Sequence, residues 1–155
     1  MYIYGGNMTF ENYFDMAVKT FRSMAIGLFL YPLFVALCET FDMKLHYYLP
    51  RPTVEHMGVA FIVISVIFFP LSNILLPILS RKCGKSCDLG KKLMIAAVIT
   101  AAMAETIALF GLIIYIVSAD MRFFYLFFVL SLVHLFMHRP KMEQWQRYLD
   151  DLNKD

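Results

Sequence analysis

Between His56 and Arg81 the chain runs for 24 residues without one charged side chain. A helix rises 1.5 Å per residue, so about 20 apolar residues cross the roughly 30 Å hydrocarbon core of a bilayer. A second run, 27 residues between Lys92 and Asp120, contains a single charge, Glu105. Two shorter runs of 16 residues lie between Arg22 and Glu39 and between Arg122 and Arg139. Their flanking arginines can snorkel, which lets the helices extend past them. Spans are therefore expected near 20–39, 57–80, 92–118 and 121–138, within one membrane domain covering 1–155. Composition points the same way. The chain is 60% apolar and 17% charged, against about 45–50% and 25% in soluble proteins, and a small soluble domain leaves too much surface exposed to hide that excess.

The basic residues fix an expected orientation. Four spans place both termini and the loop Arg81–Lys92 on one side. That side carries 11 of the 14 Lys and Arg residues, and the other carries only Lys44, Arg51 and Arg122. Basic loops stay in the cytoplasm, so both ends are expected there, with the chain multi-pass in a bacterial inner (plasma) membrane. Three spans would separate the basic loop from the basic tail and spoil this asymmetry. Met1–Asn7 is not a basic stretch leading into an apolar core, so the first apolar run is read as a retained span. The net charge of +2 is too small to suggest nucleic acid as a partner. The expected partners are the lipid bilayer and other membrane subunits or a second copy of the chain.

Both ends have amphipathic patterns. Phe10, Phe14, Ala17, Val18 and Phe21 recur at helical spacing, with Thr9 placed to cap the helix, which can run straight into the first span. Near the other end Pro140 can open a helix whose apolar face is Met142, Trp145, Leu149 and Leu152. A Trp-bearing helix beside a membrane is expected to lie in the interface, which gives interfacial helices near 9–19 and 141–153. Pro32, Pro70 and Pro77 fall inside spans, where kinks are tolerated. The fold expected is all-α: an integral membrane four-helix bundle with interfacial amphipathic helices at both termini.

Glu105 is the residue that needs a reason. It lies 13 residues beyond Lys92, about 20 Å from the basic end of its helix. A carboxyl at that depth is costly and is expected to face the bundle, where desolvation favours its neutral form. Ala97, Ala101, Ala104, Ala108 and Gly111 form a small-residue seam that permits close helix packing. At matching depth on the fourth span stands Tyr125, a candidate hydrogen-bond partner. His134 and Asn73 fall nearer the basic side and could extend a polar track. The simpler reading makes Glu105 a static hydrogen-bonding group and His134 and Asn73 ordinary buried polar residues.

The segment Ala104-Glu105-Thr106-Ile107-Ala108-Leu109-Phe110-Gly111-Leu112-Ile113 resembles the carboxylate-bearing helix of rotary ATPase proteolipids, the c subunits. In that family a mid-membrane Glu carries the transported proton or sodium ion, and the resemblance implies Glu105 as a proton-binding candidate. It covers ten residues of 155. Proteolipid rings need a glycine-rich inner helix, and the other spans here are bulky and aromatic, so ring assembly is not implied. The chain is also similar to small uncharacterised bacterial four-span membrane proteins that carry an Ala-Glu…Phe/Tyr-Gly-Leu segment.

Cys83 and Cys87 bracket the basic loop. Four-span thiol oxidoreductases place their cysteine pairs at the oxidising face, opposite to the side expected here. Basic neighbours lower a thiol pKa, so a thiol redox role stands as a second alternative. His46, Glu55 and His56 have no metal-ligand spacing, and His56 and His134 lie at opposite ends of their spans, too far apart to share a haem. No cofactor, no metal and no enzyme activity is expected. The reading that follows is a non-enzymatic structural or accessory subunit of a larger membrane assembly, with proton or ion translocation through Glu105 as the alternative.

Overall fold

A helix satisfies the backbone N–H and C=O groups of a long apolar run within that one segment, and helices are what form. In a computed structural model of the chain, residues 9–41, 43, 49–81 and 88–154 are described, without the side chains of 76, 79–81 and 152–154. The described residues contain no strand. The helices are α1 (Phe10–Leu28), α2 (Leu30–Thr40), α3 (Arg51–Arg81), α4 (Leu89–Ser118), α5 (Met121–Met137) and α6 (Met142–Lys154). Three stretches are long and apolar enough to cross a membrane: Phe10–Thr40, Arg51–Leu75 and Leu89–Ser118. A fourth is reached if α5 and α6, bent by 49°, count as one broken unit. The cysteine pair Cys83 and Cys87, and His46, lie outside the described residues.

Local chemistry sets the ends. Thr9 accepts a hydrogen bond from Asn12 N and opens α1, which continues from the amphipathic segment into the apolar run as one helix. The break between α1 and α2 falls at Phe29. Pro32 explains it: proline has no N–H to donate to Leu28 O, and its ring clashes with that carbonyl. Pro70 and Pro77 leave α3 unbroken. Asp88 accepts from Lys91 N and opens α4, and Asp120 accepts from Arg122 N and opens α5. Between them Ala119 ends α4 in the left-handed conformation, φ 56°, with its N–H on Tyr115 O at 2.8 Å.

Helix α4 is the centre. α1, α3 and α5 all pack on it, and the small seam lets them approach. Ala101, Ala104 and Ala108 are buried with Leu28 and Leu135. A Cβ added at Gly111 would lie 2.8 Å from Phe127 Cβ and 3.1 Å from Phe124 O, so here α5 backbone rides on α4. Inside a bilayer such contact matters more than apolarity, because lipid tails are as apolar as leucine.

The two end helices differ from expectation in one respect. Trp145 does not point outward. It is 1% exposed, in a cluster with Ala17, Leu89, Leu93 and Ala97. Its ring takes the edges of Phe10 and Phe14 at centroid distances of 5.8 and 5.2 Å. Trp145 and Leu149 of α6 thereby pack with Phe10, Phe14 and Ala17 of α1 and with Leu89, Leu93 and Ala97 of α4.

Candidate functional site

Two separate polar groups flank the middle of α4. On one side Glu105 faces α1. Its Oε1 would lie 3.6 Å from a Cβ built on Gly27, and the missing side chain makes the room. Glu105 is half-buried and makes no hydrogen bond among the described residues.

Tyr125 is not its partner. The close approach at Gly111 turns Phe124 and Phe127 into the bundle, and both are fully buried. Tyr125, between them in sequence, is rotated outward and 52% exposed. Gly111, six residues beyond Glu105, is what meets Phe124 and Phe127, so Tyr125 stands about 9 Å along α4 from Glu105 and on the wrong face as well.

On the other side of α4 lies the second group. Residues two apart are turned about 200° around a helix, so Met103 points away from Glu105 and towards α3. There Ser72 Oγ is 3.3 Å from Met103 Sδ and 2.9 Å from His134 Nε2. His134 is 0% exposed, and its Nδ1 and the Oγ of Ser131 have no partner among the described residues. One assignment leaves the least unsatisfied: Nε2–H donates to Ser72, Ser72 donates to the Met103 sulfur, and the bare Nδ1 lone pair goes without a donor. An orphaned acceptor of this kind costs less than a buried N–H with nowhere to point. The next residues repeat the pairing, with His138 Nε2 3.1 Å from Asn73 Oδ1 and its Nδ1 2.9 Å from His134 O. The two imidazoles pack edge to face, centroids 4.5 Å apart, with Phe69 against His134.

Glu105, His134 and Asn73 therefore do not share one track. Asn73 and His134 belong to one α3–α5 cluster, and Glu105 belongs to the α1–α4 seam. Two members of the cluster, Ser72 and His138, escaped notice in the sequence. The adjacent pair Ser72-Asn73 and the i, i+4 pair His134/His138 were the available signal.

Near the opposite end of α4, the Tyr115 hydroxyl donates to Glu39 Oε1 at 2.6 Å. That places a second carboxylate against α4, held from α2. Beyond it, a cavity of about 640 Å³ is lined by Arg51, Glu55, Asp120 and Arg122, two charges of each sign. A cavity of about 380 Å³ occupies the other end, at the joint of α5 and α6. Among the described residues no group of three His, Cys, Asp or Glu could hold a metal ion. No family model, curated protein or solved structure matches the chain.

Proposed function

We propose that the chain is an integral membrane protein with four spans and both termini in the cytoplasm, and that it acts without catalysis as a structural or accessory subunit of a larger membrane assembly. One observation carries this reading. The Glu105 carboxyl sits at the middle of a long apolar helix, is only half-buried, and finds no hydrogen-bond partner among the described residues. A lipid tail offers it nothing, and unsatisfied polar groups in hydrocarbon cost several kcal/mol by order of magnitude (~2–7). A neighbouring subunit over the α1–α4 seam supplies the missing acceptor, and Glu105 then acts as an interhelical staple.

The test uses a photo-crosslinking residue at Leu109, one turn beyond Glu105 and 39% exposed. In native membranes a discrete protein adduct is expected. Glu105→Gln keeps a donor and preserves the adduct, and Glu105→Ala weakens it. Adducts to lipid alone, the same in all three forms, sink the subunit reading.

A second reading has its own support. Glu105 faces the helix just before its break, where Leu28 O has lost its partner to Pro32. Broken helices beside membrane carboxyls are the usual setting of ion sites, so proton or ion translocation remains the alternative. A proteoliposome flux assay separates the two. A translocating protein loses all flux in Glu105→Gln with its fold intact, whereas a staple shows no flux in any form.

A further inference from the structure

A cavity lies at the α5–α6 joint. Arg139 stands before Pro140, a position biased towards extended backbone, and the chain leaves α5 there and turns by 49° into α6. The turn opens a space of about 380 Å³ walled by α3, α4, α5 and α6.

Its lining carries two cations, Arg139 and Arg147, and one anion, Asp151. Arg139 and Arg147, both exposed, line it, and neither is in an ion pair or a hydrogen bond among the described residues. Trp145 also lines it. That residue is 1% exposed as a whole, and its indole N–H makes no hydrogen bond among the described residues. Asn73 gives its Oδ1 to His138 and keeps its amide N–H groups for the space. His138 faces an oxygen from each ring nitrogen, His134 O and Asn73 Oδ1. Against these stands one carboxylate, Asp151.

We propose that this cavity binds a phosphate ester anion, held by the Arg139 and Arg147 guanidinium groups and the Trp145 indole N–H. Two guanidinium forks already fill the four or so acceptor sites of a carboxylate. A phosphate, with more oxygens and tetrahedral directions, uses the forks and the indole and amide donors together. The wall also has an apolar side, Ala97 and Met137, which suits the glycerol end of a phosphoglyceride. The same phosphate chemistry is offered by a lipid headgroup or by a soluble glycerol phosphate. The inference stands independently of what covers Glu105.

Trp145 is the single tryptophan of the chain, so its fluorescence reports on this cavity alone. The full chain is placed in phosphatidylcholine nanodiscs and titrated with glycerol 3-phosphate. In parallel, discs are made with increasing phosphatidic acid. A saturable change in Trp145 emission is expected in at least one series, with affinity reduced tenfold or more in Arg139→Gln and Arg147→Gln. Lys141→Gln, an exposed neighbour outside the cavity, is expected to bind as wild type. Saturation with glycerol phosphate identifies a soluble ester as sufficient, and saturation with phosphatidic acid alone identifies the lipid. The proposal is overturned if the wild type saturates in neither series. It is equally overturned if both arginine variants bind like wild type, or if Lys141→Gln loses as much as they do, since that is diffuse surface charge.

Discussion

The Tyr115 hydroxyl donates to Glu39 Oε1 at 2.6 Å, across 76 residues of sequence. This bond ties α2, the half-helix beyond the Pro32 break, to the central helix. Without it α2 is held mainly by Val35 and Cys38 packing near Tyr115 and Phe124. Tyr115→Phe keeps the ring and removes the donor. The expected cost is about 1.5–3 kcal/mol, the range for a hydrogen bond to a charged acceptor, read as a lower unfolding midpoint in detergent. Glu39→Gln keeps an acceptor and is expected to cost less. A Tyr115→Phe protein as stable as wild type, with Glu39→Gln destabilised, would show that Glu39 matters through another contact.

Two glycines should respond oppositely to the same substitution. At Gly111 a Cβ meets Phe127 Cβ at 2.8 Å and α5 backbone at 3.1 and 3.3 Å, and backbone cannot step aside as a side-chain tip can. Gly111→Ala is expected to destabilise by about 1–3 kcal/mol, the usual cost of overpacking. At Gly27 the nearest atom is Glu105 Oε1 at 3.6 Å, ordinary contact. Gly27→Ala should be neutral, or stabilising by up to about 1 kcal/mol from helix propensity. Thermal unfolding of the two variants side by side checks both, and equal destabilisation rejects the assigned packing.

Burial of Trp145 against Phe10 and Phe14 predicts a signal that does not depend on lipid. Its fluorescence should resist acrylamide in detergent micelles as well as in bilayers. Phe14→Ala should raise the quenching by opening one wall, although residue 14 is far from Trp145 in sequence. If lipid alone shields the indole, Phe14→Ala changes nothing.

These cases show what the sequence made legible. Length and charge-free runs announced the helices, because a helix satisfies the backbone of a long apolar run within that one segment. The Ala/Gly seam announced the packing face of α4. The rotation of α5 was hidden: its residues 123–130 are apolar or aromatic on every side, so periodicity could not say that Phe124 and Phe127 turn inward and Tyr125 outward. The 16 residues of the first run understate its helix, which, as snorkelling arginines allow, passes through Lys19 and Arg22 without a break from Phe10 to Leu28. For α6 the pattern marked Trp145 and Leu149 as apolar-face residues but could not name α1 and α4 as what they pack against. An apolar stripe at helical spacing is the same whether a lipid interface or the flank of α1 covers it.

The last prediction concerns the buried pair Ser72 and His134. Their contact joins α3 to α5, with Nε2 and Oγ 2.9 Å apart and His134 fully buried. Ser72→Ala removes the acceptor of the Nε2–H and leaves a buried donor unpaired. The full desolvation penalty then applies, about 1–3 kcal/mol. His134→Phe alone strands the Ser72 hydroxyl, which still has Met103 Sδ at 3.3 Å, so its cost is expected to be smaller. Both changes together replace a polar pair with apolar groups beside Phe69, whose ring centroid is 4.8 Å from that of His134. The double variant should then recover part of the loss, because two apolar groups in place of a hydrogen-bonded pair can be nearly neutral. A double-mutant cycle measured by denaturation in detergent gives the coupling directly. Strictly additive single effects would mean that the two side chains do not interact, and that Ser72 and His134 each serve their own helix.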